Sequence, residues 1–353
     1  MLAPKILEFK ENASRDLSLS PQLVILTHSH KRSKLMLSHA FFKKKFVLLK
    51  EAKIGILTHA LHYGTACFEG IRANWNSQEK QLYIFRCQEH YARLVNNCKM
   101  LKINVPYSVD ELCHLSVELL RKSECKEDMY IRPLAYKSSE ALGVRLHGLE
   151  DDIFIAVTTF GPYLDATNGI KCCVSSWIRP DDNMIPARGK ITGIYVNNAL
   201  AKTEAIENGF NEAIMLTSDS YVSEGSGENI FLVTDGKLVT PSCYDRILMG
   251  ITRDAVIKLA KNELGIETIE RHIDRSELYL ADEVFLTGTA AHVTPVVEID
   301  HRKVADGKIG KLTKKLQKLY SDVEFGRNRK YLNWCTPVYT KPARAAKTRS
   351  RTR

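Results

Sequence analysis

Short runs of apolar and β-branched residues alternate along this chain with longer stretches in which apolar residues recur at helical spacing. The run 153–160 has the length and residue types of a buried strand, whereas 89–100 places Tyr91, Leu94 and Cys98 on one helical stripe. The same patterns predict strands at 82–86, 129–134, 170–177, 213–217, 221–224, 230–233, 237–240 and 283–286, and helices at 108–122, 191–208, 252–264 and 309–320. This interleaved order indicates a protein of the α/β (α+β) class.

Local signals fix several of these boundaries. Ser108 followed by Glu111 is a capping box and predicts the start of a helix. Asp235-Gly236 predicts the turn of a hairpin, and the lysines 43–45 are expected to form the turn of another hairpin over 41–49. Thr252 is expected to cap the helix that follows it.

The stretch 161–169 carries Gly, Pro, Asp and Asn, which is typical of a linker between domains. We therefore expect a small α/β domain over 40–160 and a larger, cofactor-binding domain over 170–338.

The two ends of the chain differ from its body in composition. Residues 1–39 show neither helical nor strand periodicity, and we interpret them as an atypical extension in which Met36 is a plausible internal start. Of the net charge of +10, these residues carry +3 and the basic tail 339–353 carries +6, which leaves +1 on the body. A near-neutral body argues against a nucleic-acid-binding protein, and the tail is expected to be disordered.

Composition also bounds the location and the chemistry. Apolar residues make up 44% of the 353, but no apolar run approaches the roughly 20 residues of a membrane span. The nine cysteines are scattered without a CxxC pair, which argues against a metal site and against a disulfide framework. This usage favours a reducing compartment and a cytoplasmic protein.

Three features around 186–252 point to one kind of chemistry. Lys190 stands outside any run of charges, Glu224 begins a Gly-rich turn, and Gly250 leads into a helix. Alone, each has an ordinary explanation as a surface lysine, a turn acid or a helix start. Together they supply an amine, a carboxylate and a helix N-terminus, which are the groups that hold pyridoxal phosphate.

The order of these residues resembles the class IV aminotransferases, which are fold-type IV pyridoxal-phosphate enzymes with the fold of D-amino-acid aminotransferase. The matching signature is Glu224-x-Ser-x-x-Asn229-Ile-Phe231, then Leu238-x-Thr240, then Leu248-x-Gly250-Ile-x-Arg253. The resemblance covers about 40–338. Within the class, the chain is most similar to the branched-chain-amino-acid aminotransferases, through Tyr63-Gly64, Phe68-Glu69-Gly70-Ile71-Arg72, Tyr130-Ile-Arg132-Pro-Leu134 and the segment from Tyr195 to Ala205.

The resemblance implies a two-domain fold, pyridoxal 5′-phosphate as cofactor, and Lys190 as its Schiff-base partner and the group that moves the reacting proton. Proton transfer requires a neutral amine, so we expect the pKa of Lys190 below the usual value of about 10.4. Glu224 is implied to pair with the ring nitrogen and Arg86 to bind the phosphate. The remaining cofactor contacts are implied for the hydroxyl of Tyr195, the side chain of Leu248, the amides of Ile251 and Thr252, and Thr289.

Substrate contacts are implied in the same way. Tyr63, Phe68, Val144 and Tyr163 match an apolar pocket for a branched side chain, with Tyr63 and Val144 supplied by a neighbouring subunit. The resemblance therefore implies a homodimer or a higher homo-oligomer. Tyr130 and Arg132 match the group that accepts the distal carboxylate of glutamate, and the amides of Thr289 and Ala290 match the site of the α-carboxylate.

These residues imply transamination of L-leucine, L-isoleucine and L-valine with 2-oxoglutarate by a ping-pong mechanism. A D-amino-acid aminotransferase or an aminodeoxychorismate lyase of the same fold is the alternative, and a basic nucleic-acid-binding protein is the alternative from another class. A non-catalytic relative is disfavoured because Lys190 and Glu224 are both present. Asn74 and Asn198 depart from the family's usual residues, which leaves fine substrate preference open.

Overall fold

The computed structural model of the chain describes residues 39–159, 161 and 163–339. The predictions for 1–38 and 340–353 lie outside the described residues, as do Phe160 and Pro162 at the predicted linker. The helices are α1 His59–Tyr63, α2 Cys87–Met100, α3 Val109–Lys122, α4 Tyr195–Glu207, α5 Ile251–Leu264, α6 Glu277–Leu280 and α7 Lys311–Glu324. The strands are β1 His39–Phe42, β2 Lys45–Leu48, β3 Ala66–Phe68, β4 Ile71–Asn76, β5 Gln81–Phe85, β6 Met129–Lys137, β7 Asp151–Thr159, β8 Ile170–Val174, β9 Glu212–Leu216, β10 Val222–Gly225, β11 Asn229–Thr234, β12 Lys237–Thr240, β13 Thr268–Glu270, β14 Glu283–Gly288, β15 His292–Ile299, β16 Arg302–Lys303 and β17 Cys335–Pro337.

One sheet has the strand order β17-β5-β4-β6-β7-β1-β2, with β3 also paired to β6. Its strand pairs are antiparallel. Helices α2 and α3 cover one face with apolar side chains such as Tyr91, Leu94 and Leu120, all fully buried. Burial of these side chains supplies the main stabilisation of this half of the molecule.

The other sheet has the order β10-β9-β8-β15-β14-β11-β12-β13, with β16 beside β15. Strand β8 runs parallel to both β9 and β15, and the remaining pairs, apart from β12 with β13, are antiparallel. Helices α5 and α7 pack on it through Leu259 and Leu316, in a core that includes Phe85 of the first sheet. The two sheets thus share one apolar cluster.

Most local sequence signals have the predicted structure. Ser108 and Glu111 form a capping box at the start of α3. Lys43 and Lys44 adopt positive φ values of 47° and 63° and form the first hairpin turn. The prediction for Thr252 is wrong: Gly250 is the N-cap of α5, and Thr252 lies buried inside its first turn.

The two sheets draw on different parts of the chain. Except for β17, which pairs with β5, the first sheet takes its strands from before the predicted linker and the second from after it. The domain boundaries themselves remain predictions. Within the described residues, no helix combines the length and the apolar character needed to cross a membrane.

Candidate active site

Lys190 lies where a strand of the first sheet meets the segment that leads into α4. The N–H of Phe68 donates to the carbonyl of Lys190 at 3.1 Å. The Nζ of Lys190 donates to the hydroxyl of Tyr195 at 2.8 Å and lies 5.0 Å from the centre of the Phe68 ring. The amine is therefore held between one aromatic face and one hydroxyl.

A cavity opens around this amine. Its lining residues are Arg93, Lys190, Tyr195, Glu224, Gly227, Glu228, Asn229, Leu248, Gly250, Ile251, Thr252, Thr287, Gly288 and Thr289. All residues predicted to bind the cofactor line it except Arg86. Residues from α2, from the second sheet and from the start of α5 thus converge on one amine.

Glu224 lies on β10 and is buried. It forms an ion pair with Arg179 at 3.0 Å. It also accepts hydrogen bonds from the N–H of Leu248 and from the side-chain amide of Asn229, each at 3.0 Å. Burial raises the pKa of Glu224 above its ordinary value, and the opposing effect of Arg179 does not cancel it. Asn198 accepts from Arg179 at 2.8 Å, so this departure from the family pattern supports the partner of Glu224.

Arg93 is the principal residue that the sequence predictions missed. Its guanidinium binds both carboxylate oxygens of Glu69, at 2.6 and 2.8 Å, and donates to the carbonyl of Met249 at 2.7 Å. His90 also binds Glu69, at 2.8 Å. Burial acts to raise the pKa of Glu69, but Arg93 and His90 hold it well below its usual range. Three-residue spacing predicts that His90 and Arg93 share one helical face, but it does not show that this face meets the cavity.

Arg86 lies elsewhere. It precedes α2 in a left-handed conformation with φ 51°, pairs with Glu89, and donates to Asp254 at 2.8 Å. Its guanidinium also stacks 4.7 Å from the centre of the Trp334 ring. Arg86 follows a strand and precedes a helix, as the sequence predicts, but its guanidinium lies outside the cavity lining. Two carboxylates and a ring contact it, and its Nη1 has no hydrogen-bond partner among the described residues.

The start of α5 fits a phosphate group. Gly250 has no side chain to cap the first-turn N–H groups, and these groups border the cavity. A Cβ at Gly250 would lie 2.0 Å from the side-chain oxygen of Asn229, so only glycine leaves this approach open. The buried hydroxyl of Thr287 lines the same cavity and has no hydrogen-bond partner among the described residues. Unpaired donors beside a helix N-terminus are what an anion requires.

The sequence predicted a lowered pKa for Lys190, and this prediction is wrong: the surrounding protein groups raise it. Burial lowers the pKa of Lys190, as expected, but Tyr195 and Glu69 more than offset that effect and raise it above the ordinary value. The sequence could not show that a buried, ionised Glu69 lies near this amine.

The predicted substrate residues fall into two groups. Phe68, Tyr130 and Arg132 lie together: the Arg132 guanidinium is 4.8 Å from the Phe68 ring centre and donates to the Tyr130 hydroxyl at 3.2 Å. A Cβ at Gly70 would lie 1.8 Å from that hydroxyl, so glycine is required there. Tyr163 and Ala290 line an adjoining cavity.

Tyr63 and Val144 form the second group. The Tyr63 hydroxyl accepts from the N–H of Gly143 at 3.0 Å, and Val144 is 90% exposed. Within the described part of one chain, neither residue lines the cavity around Lys190.

Comparisons with known proteins identify the family to which the chain is similar. The family model "Amino-transferase class IV" matches residues 66–299. A probable branched-chain-amino-acid aminotransferase from Aquifex aeolicus is 56% identical over 302 residues, which is 86% of this chain and 97% of that protein. The branched-chain aminotransferase structure from Thermoproteus uzoniensis with norvaline is 44% identical with a TM-score of 0.82, covering 86% of this chain and all of the other. The branched-chain amino acid aminotransferase from Thermobaculum terrenum, solved in its PLP-form, is 37% identical with a TM-score of 0.80, covering 84% and 96%.

The chain belongs to the class IV aminotransferases, whose cofactor is pyridoxal 5′-phosphate. The identity to the Aquifex aeolicus protein places it among the branched-chain-amino-acid aminotransferases of that class.

Proposed function

We propose that this protein transfers the amino group of L-leucine, L-isoleucine or L-valine to 2-oxoglutarate, giving the branched 2-oxo acid and L-glutamate in two half-reactions. The observation that carries the proposal is one cavity lined by Lys190, by Glu224 and by the start of α5. The names of the relatives favour this activity over a D-amino-acid aminotransferase or an aminodeoxychorismate lyase.

Pyridoxal 5′-phosphate supplies a carbonyl that the amine condenses with and a ring that delocalises negative charge. Lys190 would hold the carbonyl carbon, and Glu224 would hold the ring nitrogen. A carboxylate with a raised pKa is a strong acceptor for that N–H, so its environment suits this role. Tyr195 would orient the ring oxygen, and Leu248 would pack on the ring.

The phosphate would bind the N–H groups of Ile251 and Thr252, with Thr289 nearby. We propose Arg93, rather than Arg86, as its guanidinium partner. Arg93 lines the cavity, and its contact with Met249 fixes it against the residue before Gly250. Arg86 is instead paired with Asp254 on the outer side of the first turn of α5.

Lys190 would then move the reacting proton at Nζ, which requires the neutral amine. The hydroxyl of Tyr195, at 2.8 Å, fixes the direction of that amine. Since Tyr195 and Glu69 both favour the protonated amine, proton return from Nζ to substrate is the step that the surrounding protein opposes.

Phe68 would bound the branched side chain of the amino donor, together with Tyr163. Arg132, stacked on Phe68 and bonded to Tyr130, would accept the second carboxylate of glutamate or 2-oxoglutarate. The amides of Thr289 and Ala290 would bind the α-carboxylate. One apolar wall with one cation at its edge accommodates both kinds of substrate.

We further propose that two or more copies assemble, with Tyr63 and Val144 of one copy beside the site of another. Support comes from the 90% exposure of Val144 and the 60% exposure of Leu142 near it. Large exposed apolar side chains in one place are typical of an interface. A cytoplasmic location is proposed because all nine cysteines are free thiols.

The decisive experiment follows the visible absorbance of protein reconstituted with pyridoxal 5′-phosphate. L-Leucine without a keto acid should bleach the absorbance, and 2-oxoglutarate should restore it, whereas D-alanine should do neither. Pyruvate release from aminodeoxychorismate would instead identify the lyase. Lys190→Ala should abolish the leucine response, while Lys171→Ala, at an exposed lysine, serves as the control. A yellow wild-type protein indifferent to leucine would contradict the substrate assignment.

A further inference from the structure

We infer that His292 is a positioning residue: it holds the turn 289–291 in the orientation that binds the substrate α-carboxylate. The inference rests on the proposed function, which places the α-carboxylate on the amides of Thr289 and Ala290. His292 itself is assigned no contact with substrate or cofactor.

The turn is closed by His292. Strands β14 and β15 form a hairpin whose final pair is Gly288 with His292, so the residues between them form its connection. His292 has a φ of 56°, a left-handed conformation that is uncommon outside glycine and requires support from neighbours. The contacts that hold His292 in this conformation therefore determine the orientation of the turn 289–291.

That support comes from two buried charged residues on other elements. Arg72 of β4 donates from Nη1 to Nε2 of His292 at 2.7 Å. The Nδ1 of His292 lies 3.0 and 3.1 Å from the two carboxylate oxygens of Glu324 on α7. An arginine has only donors, so Nε2 accepts and the ring proton lies on Nδ1, directed at Glu324. The imidazole thus links a donor on one side to an acceptor on the other.

Further contacts join Arg72 to the turn and strand β4 to helix α7. Arg72 also reaches the carbonyl of Ala290, at 3.4 Å. Asn74, two residues along β4 and on the same face, donates to the backbone carbonyl of Glu324 at 3.2 Å. The first sheet, α7 and the turn are therefore connected through His292 and its two partners.

This network borders space next to the proposed substrate. Arg72, Ala290 and His292 line one cavity together with Tyr163. If the imidazole were removed, Arg72 would keep its buried charge but lose one of its acceptors, and Glu324 would lose the imidazole N–H. The turn would then have one anchor fewer, at the residue whose conformation most requires support.

The test uses the holoenzyme and 4-methylpentanoate, which is leucine without its amino group, as a carboxylate probe whose binding is followed by cofactor absorbance. His292→Ala should weaken probe binding and raise the KM for L-leucine by about tenfold. Affinity for pyridoxal 5′-phosphate should change much less than probe affinity, because Arg93, Ile251 and Thr252 lie outside the turn. His292→Gln, whose amide both accepts from Arg72 and donates to Glu324, should restore most of the loss. His301→Ala, at an exposed histidine on the opposite end of β15, is the control and should match wild type.

Probe affinity in His292→Ala equal to wild type would overturn the inference, as would an equal loss of cofactor affinity. A folded His292→Gln as impaired as the alanine variant would overturn it as well, and this variant decides the matter if His292→Ala does not fold. Wild-type protein that never bleaches with L-leucine would contradict the proposed function instead, so the two failures are distinguishable.

Discussion

Glu69 and Glu224 are both buried carboxylates near Lys190, and each pairs with an arginine, yet their pKa values move in opposite directions. Glu69 receives two bonds from Arg93 at 2.6 and 2.8 Å and one from His90, and its pKa lies well below the usual range. Glu224 receives one contact from Arg179 at 3.0 Å and two from neutral donors, and burial raises its pKa. Forked, close contact with a cation therefore outweighs burial, whereas a single contact does not.

The difference gives the two carboxylates different uses. Glu69 is a permanent charge that fixes the direction of Arg93 and stabilises the protonated form of Lys190. Glu224 lines the cavity and keeps a high affinity for protons, as the acceptor of a ring nitrogen would need. Burial alone would have assigned both residues the same behaviour.

The largest effect should come from Glu69→Gln. It leaves Arg93 without its forked partner, and loss of one member of a buried ion pair costs about 3 kcal/mol in free energy of unfolding. Cofactor affinity should fall because the guanidinium is no longer fixed, and the pKa of Lys190 should fall with the lost negative charge. Urea unfolding and a cofactor titration measure the first two effects.

Glu267→Gln is the matched control, since Glu267 is 73% exposed and pairs with a surface lysine. It should leave both measurements unchanged. A Glu69→Gln protein as stable as wild type, with wild-type cofactor affinity, would remove the distinction drawn between the two carboxylates.

Glu224→Gln should reduce activity strongly and stability only slightly. The neutral amide avoids the burial penalty that raises the pKa of Glu224. Arg179 keeps its hydrogen bonds to the side chain of Asn198 and the carbonyl of Arg246, so the free energy of unfolding should change less than for Glu69→Gln. Activity should instead fall by about 10²–10³ in kcat, because the ring nitrogen loses its charged acceptor. Equilibrium unfolding and steady-state kinetics on L-leucine with 2-oxoglutarate, run side by side, test the pair of expectations. Equal stability losses in the two variants would contradict the comparison.

The sequence correctly indicated those features that depend only on residue type and on spacing along the chain. Lys190, Glu224 and the start of α5 were recognisable because a chemical group and a helix boundary occur at fixed intervals, and the structure brings them into one cavity. The capping box at Ser108 is equally local, since both partners lie within four residues.

The sequence could not predict contacts made across the fold. Arg86 and Arg93 lie seven residues apart, and only the direction of α2 decides which one enters the cavity. The pKa of Lys190 is raised by Tyr195, which is five residues away, and also by Glu69, which lies more than a hundred residues earlier in the chain. No sequence pattern connects Asn74 and Asn198 to the chemistry, but they bind Glu324 and Arg179, the partners of His292 and Glu224.

A third buried carboxylate, Glu228, extends the comparison: no arginine is among the described groups that chiefly stabilise its charged form. It lines the cavity, and burial, with the nearby carboxylate of Glu212, raises its pKa to about 8. Lys202 and the N–H of Gly227 oppose this increase, while Glu224 adds to it. At neutral pH the folded protein therefore holds a proton on Glu228 that the unfolded chain, with an ordinary glutamate pKa of about 4.3, has released.

Because the folded state binds this proton more tightly, Glu228 should reduce the stability of the protein as the pH rises through the interval between those two values. Glu228→Gln mimics the protonated form at every pH and should lack this part of the pH dependence. The wild-type Tm minus the variant Tm should therefore fall between about pH 4 and about pH 8. Glu267→Gln should show a constant difference over the same range. If the wild-type Tm minus the Glu228→Gln Tm were also constant, Glu228 would have an ordinary pKa. Its environment would then resemble that of the surface carboxylate Glu267 rather than that of Glu224.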